Sequence, residues 1–174
     1  MCGARKDRLE ILPSSSHPRD ELASLLGILD SFPTIARFLQ DRRNGRPSFE
    51  IAKEYDVQDV LFICIRSLFD DARLEDPAPK LAGRSKRVDI VLPSIKVLVE
   101  VKCVRDQTHA RNLPHELMID IESYHSHPAC KHLLAFVYDA HGLIDDPQQL
   151  ETELSGRRVK GDASFEVKLL VRPR

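Results

Sequence analysis

The run Val88-Asp89-Ile90-Val91-Leu92, followed after Pro93-Ser94-Ile95-Lys96 by Val97-Leu98-Val99-Glu100-Val101-Lys102, decides how this chain is read. Two β-rich apolar segments around a short turn predict a hairpin, with strands over about 87–92 and 95–104. Three charged residues interrupt them. Strands this apolar are normally buried, and a buried carboxylate or ammonium is rare unless paired or bound to metal.

Side chains alternate along a strand, so Glu100 and Lys102 project to the same side, about 7 Å apart. Val99, Val101 and Cys103 point the other way. Asp89 joins the charged pair only if the turn holds an even number of residues. A two-residue turn at Pro93-Ser94 sets Asp89 one diagonal step from Glu100, and a four-residue turn over 93–96 sets it directly opposite. A three-residue turn would separate them. Two carboxylates within about 5 Å repel unless a cation lies between them, and hard oxygen ligands favour magnesium or manganese. A lysine beside that cation can orient a water and stabilise charge growing on a phosphate. The alternative is a plain Glu100–Lys102 ion pair on an edge hairpin. Apolar residues on both faces around the charges argue for a central position instead.

Outward from the hairpin, the chain reads as α/β. Residues 1–17 are polar. Leu22, Leu25, Leu26 and Leu29 predict a helix over 19–30, and Pro33 opens a second short helix to about Arg42, stopped at Asn44-Gly45. A longer helix is expected over 49–70, with Val57, Val60, Leu61, Cys64 and Leu68 as its apolar stripe. Residues 75–86, with Pro77, Pro79 and Gly83, read as a loop. After the hairpin, a polar loop over 105–112 leads to a helix from Pro114, ended at His127-Pro128. A buried strand then runs over 132–139. Asp145-Asp146-Pro147 signals the start of a helix through Leu154, stopped at Gly156. Phe165, Val167, Leu169 and Val171 mark a last strand.

At 174 residues, the chain fits one domain with a helical lead-in. No consecutive apolar run approaches the roughly 18 residues of a membrane span, and the N-terminus lacks a signal-peptide core. A cytoplasmic location and no membrane partner are expected. Cys2, Cys64, Cys103 and Cys130 show no Cys-x-x-Cys spacing, so no disulfide framework or zinc ribbon is indicated. Net charge is −1, yet Lys80 to Arg111 carries eight basic residues against Asp89, Glu100 and Asp106, while Asn112 to Ser155 carries Lys131 alone against eight acids. A basic segment around the hairpin suits a polyanion, although ordinary solvated loops explain one basic stretch about as well.

The pattern Asp89…Glu100-Val101-Lys102, after a long helix and before a helix and strand, resembles the PD-(D/E)XK nuclease superfamily. Several further segments resemble its DpnII/MboI-type restriction endonuclease branch. They are Glu54-Tyr55-Asp56-Val57-Gln58-Asp59, Glu75-Asp76, Gly83 to Asp89, Glu100 to Arg105, Leu117 to Tyr124 and Phe136-Val137-Tyr138-Asp139. The resemblance covers about residues 48–173. It implies a mixed sheet flanked by helices over 48–174, with residues 1–47 as an N-terminal tail and helical lead-in.

The resemblance further implies magnesium-dependent hydrolysis of phosphodiester bonds, with manganese able to substitute and DNA favoured over RNA as substrate. Asp89 and Glu100 bind the metal in this reading, with the Val101 carbonyl as a further ligand and Glu54 on the preceding helix completing the site. Lys102 positions or activates water. Gln58, one helical turn from Glu54, and Asp120 are accessory candidates. Arg84, Lys86, Arg87 and Arg105 hold the nucleic-acid backbone. Val88 stands where the motif's name has proline, and Glu116 where relatives often have glutamine.

Asp120 lies amid Met118, Ile119 and Ile121, a setting in which an acid needs a partner. His125, His127, Cys130 and His132 fit no common zinc-ligand spacing. The chain has little room for a separate specificity domain. That leaves open cleavage with little sequence preference, a homodimer, or an effector in bacterial defence or DNA processing served by a separate sensor or specificity protein. A non-catalytic nucleic-acid-binding or assembly module, and a structure-selective resolvase, are the rival readings. The intact acid–acid–lysine set argues against the first, and branched against linear substrates would separate the second.

Overall fold

A computed structural model describes residues 18–77, 87–124, 127–160 and 163–173. The elements are α1 (Pro18–Gln40), α2 (Glu54–Arg66), β1 (Arg73–Pro77), β2 (Arg87–Leu92), β3 (Val97–Cys103), α3 (Gln107–Ser123), β4 (His132–Tyr138), α4 (Pro147–Leu154), β5 (Gly156–Lys160) and β6 (Ala163–Arg172), with a 3-10 turn at Arg43–Gly45. The strands form one mixed sheet in the order β1-β2-β3-β4-β6-β5. β3, β4 and β6 are parallel, and the outer pairs are antiparallel. Parallel neighbours need crossover connections, which α3 and α4 supply. This is the mixed sheet flanked by helices that the sequence implies.

Alternation along β3 divides the core. Val97, Val99, Val101 and Cys103 join the cluster beneath α1 and α2, whereas Leu98 joins the cluster beneath α3 and α4. Glu100 and Lys102 therefore face α3. The hairpin register pairs Ile90 with Val99 and Leu92 with Val97, leaving a four-residue turn over 93–96. One step further, Asp89 stands opposite Glu100. The even turn is held by the Asp71 carboxylate, which accepts from Ser94 N at 2.7 Å and Ser94 Oγ at 3.1 Å. Lys96 closes it in a left-handed conformation, φ 55°.

Several sequence boundaries move. Pro33 lies inside α1 and does not open a second helix. It removes one backbone bond, but Leu25, Leu29, Phe32 and Ala36 pack on the core on both sides of it. Phe32 meets Phe136 and Tyr138 edge-on, with ring centroids 5.3 and 5.0 Å apart. The boundary placed at residue 47 thus separates α1 from the sheet in sequence but not in packing. Residues Asp20–Gln40 are long enough, with a hydropathy of 1.4, to cross a membrane by length and composition. Core helices meet the same measure, and here Leu25, Leu29, Phe32 and Ala36 pack into the core.

Helix α2 starts at Glu54 and not at Phe49. Asp56 Oδ2 accepts from Lys53 N at 2.8 Å and Ala52 N at 3.0 Å, capping the helix there. Helix α3 starts at Gln107, within the expected loop, because Asp106 Oδ1 accepts from His109 N at 2.8 Å. Pro114 lies inside it. Strand β1 begins at Arg73, ahead of the loop expected over 75–86, and runs into it to Pro77; the rest of that loop, 78–86, lies outside the described residues. Strand β5 was not expected at all. It is charged, carrying Arg157, Arg158 and Lys160, and forms a sheet edge, where pairing with β6 decides its conformation. Helix α4 begins as expected, with the Asp146 carboxylate accepting from Gln149 N at 2.8 Å and Pro147 in the first turn.

Candidate active site

β2 and β3 bring Asp89, Glu100 and Lys102 together, α2 brings Glu54, and α3 adds Asp120 and Tyr124. The Val101 N–H donates to Asp89 Oδ2 at 2.7 Å, tying the end of β2 to β3 beyond their last ladder pair. Lys102 Nζ donates to Glu100 Oε1 at 2.6 Å and lies 3.0 Å from Asp120 Oδ2. Asp120 is thus a buried acid whose partner is the motif lysine. The Tyr124 hydroxyl donates to Glu100 Oε2 at 2.6 Å and also lies 3.0 Å from the Arg87 carbonyl. A phenol has one proton, and the shorter contact to a charged acceptor is the stronger.

The charges in this cluster are unbalanced. Burial and the neighbouring Glu100 push the Asp89 carboxyl up to about 7, against weaker opposition from the Val101 N–H and Lys102. Burial likewise raises Glu54, with Lys102 pulling down and Glu100 adding to the rise. Burial alone would lower Lys102, but Glu100, Glu54 and Asp89 together outweigh it and raise its ammonium. Lys102 is therefore held as a cation among these acids. Burial and Glu100 raise the Tyr124 phenol, keeping it a donor.

A cleft of about 440 Å³ opens onto the cluster, lined by Lys53, Glu54, Tyr55, Lys102, Cys103, Arg105, His109 and Glu116. Tyr55 is 68 % exposed there. His109 is buried, its Nδ1 accepting from Arg105 N at 3.3 Å, which leaves Nε2 to carry the proton beside Glu116, 3.4 Å away. Burial pushes the Cys103 thiol up to about 11, the wrong direction for a nucleophile.

Of the other sequence candidates, Gln58 is buried one turn along α2, and Val101 is buried between the two charged residues of β3. Arg87 and Arg105 are exposed at the start of β2 and just past β3. Arg84 and Lys86 lie outside the described residues, as does His125 of the histidine cluster. Tyr124 and His109 were missed. Tyr124 stands in a family-like segment without a site role of its own in the sequence reading. Its spacing of four from Asp120 was the available signal, since that places both on one helix face.

The donor chemistry suits a hard divalent cation, because Asp89, Glu100 and Glu54 offer carboxylate oxygens that raise one another's affinity for positive charge. In this conformation Lys102 is the cation that Glu100 Oε1 holds. Among the described residues no three His, Cys, Asp or Glu side chains are grouped closely enough, as they stand, to hold a metal ion. Searches of curated proteins and of solved structures each found no match. A family model, that of the DpnII-MboI restriction endonucleases, matches residues 23–174, and with it the sheet, the acid–lysine cluster and most of α1. The chain belongs to the DpnII-MboI restriction endonuclease family and is a nuclease that acts on DNA.

Proposed function

We propose that this nuclease is a magnesium-dependent endonuclease whose site is Asp89, Glu100, Lys102 and Glu54. One observation carries the reading: the carboxyls of Asp89, Glu100 and Glu54 surround a single lysine beside an open cleft. A proton on Asp89 at neutral pH occupies a position that a divalent cation would take more favourably. Asp89, Glu100 and Glu54 hold the ion, with the Val101 carbonyl alongside. Bound there, magnesium or manganese supplies an acidified water and neutralises phosphate charge.

The chain's own groups supply the rest. Lys102, held cationic, orients the attacking water and stabilises charge that builds on the phosphate. Asp120 gives that ammonium a second carboxylate partner beside Glu100. Arg105 on the cleft rim, with Arg84, Lys86 and Arg87 before and at the start of β2, holds the DNA backbone without reading sequence. Gln58 supports the face of α2 that presents Glu54. Hydrolysis leaves 5′-phosphate and 3′-hydroxyl ends. The family kinship supports DNA over RNA, and a cytoplasmic role in bacterial defence or DNA processing is part of the same proposal.

The test incubates purified protein with plasmid DNA, single-stranded DNA and RNA, with magnesium or EDTA, comparing wild type with Asp89→Asn and Lys102→Ala. Magnesium-dependent cleavage of DNA that both substitutions abolish is the expected result. Cleavage that survives EDTA or loss of Lys102 would overturn the mechanism.

A further inference from the structure

We propose that Tyr124 is a positioning residue that makes Glu100 a one-oxygen ligand and thereby sets the site's preference for a magnesium-sized cation over calcium. The inference rests on the metal-dependent reading above and deepens it. Glu100 is 3 % exposed, and its two oxygens face different partners: Oε1 the Lys102 ammonium and Oε2 the Tyr124 hydroxyl, each at 2.6 Å. The Tyr124 ring is fully buried, among the apolar side chains that join α3 to the sheet. The Arg87 carbonyl, 3.0 Å from the hydroxyl, is the alternative acceptor for its one proton.

Of the two carboxylate oxygens, only Oε1 has a partner that a cation can replace. Lys102 can leave it because Asp120 Oδ2, 3.0 Å away, keeps the ammonium paired. Oε2 has no comparable exchange. Turning it to the ion would trade a short bond to a charged acceptor for a longer one to a neutral carbonyl. Magnesium demands compact octahedral geometry and single oxygens, whereas calcium accepts six to eight ligands and both oxygens of one carboxylate. A glutamate held to one oxygen therefore favours the smaller ion.

Calorimetric titration of the full chain with magnesium chloride, and separately with calcium chloride, tests this for wild type and Tyr124→Phe. The variant is expected to lose about tenfold or more in magnesium affinity, in the range of other lost outer partners, while holding or gaining affinity for calcium. A purely structural role would weaken both ions in parallel, and that result, or an unchanged ratio, would overturn the assignment. Wild type that binds neither ion and cuts nothing would sink the metal-dependent reading itself. Should Tyr124→Phe not fold, 3-fluorotyrosine incorporated at Tyr55, Tyr124 and Tyr138 keeps the shape and strengthens the donor. The ratio should then move toward magnesium, and no movement would overturn the proposal.

Discussion

Lys102 Nζ lies 2.6 Å from Glu100 Oε1, so the motif lysine neutralises the motif glutamate. Both side chains are nearly buried, at 12 % and 4 % exposure. Such a pair is costly to break from one side, because the remaining charge keeps its desolvation penalty.

Lys102→Met therefore leaves Glu100 and Asp120 without their shared cation. We expect a loss of about 3 kcal/mol at pH 8, in the range for breaking one side of a buried pair. The loss should shrink toward pH 5, where the acids can protonate. Urea unfolding at the two pH values checks this, and an equal loss at both would contradict it.

Asp89 governs the pH dependence of the metal-free protein. Its folded pKa of about 7 exceeds the ordinary carboxylate value, so between the two the folded state binds more protons than the unfolded state. Stability from this group is present below about pH 4 and is lost as pH rises through about 7. Thermal unfolding without metal should show that decline, and Asp89→Asn should flatten it and raise Tm at pH 8. Magnesium should raise the wild-type Tm more at pH 8 than at pH 5, since at low pH it competes with the proton.

Asp120→Asn tests the third member of the ion cluster. The amide keeps the shape but leaves Lys102 with Glu100 alone. Cleavage should fall about tenfold to a hundredfold, the usual cost of losing an outer partner, with little change in Tm. Rates on plasmid DNA across a magnesium series measure it. Full activity would show that Lys102 needs no second acid.

Arg105 is exposed on the cleft rim, where a phosphate contact positions without specifying. In the Asp89→Asn background, Arg105→Ala should weaken binding uniformly across unrelated DNA sequences. The slope of log affinity against log salt should fall by about one. Fluorescence anisotropy at several salt concentrations gives both numbers, and sequence-dependent weakening would assign Arg105 a different role.

Phe32 tests whether α1 belongs to the catalytic core. Its ring is fully buried against Phe136 and Tyr138. Phe32→Ala should cost about 3–5 kcal/mol in urea unfolding, as a large core truncation does. A cost under about 1 kcal/mol would mark α1 as an accessory helix, since surface changes fall in that range.

Alternation alone was enough to pair Glu100 with Lys102 and to separate them from Val99, Val101 and Cys103, because strand side chains have a period of two. The caps at Asp146-Pro147 and the buried strand over 132–138 were legible for the same reason: each depends on residues a few positions apart. The turn parity was not legible, because its length is fixed by Asp71 reaching Ser94 across 23 residues. Nor were the continuous helices through Pro33 and Pro114, where packing on the sheet outweighs one lost backbone bond. Strands β1 and β5 escaped notice because edge strands take their conformation from a neighbour. Sequence by itself determined the hairpin, the acid–acid–lysine set and the family. Only tertiary structure decided that Asp89 faces Glu100 and that Asp120 and Tyr124 hold Lys102 and Glu100. Those relationships join residues 11 to 24 positions apart, and no local pattern encodes a contact that the chain must fold to make.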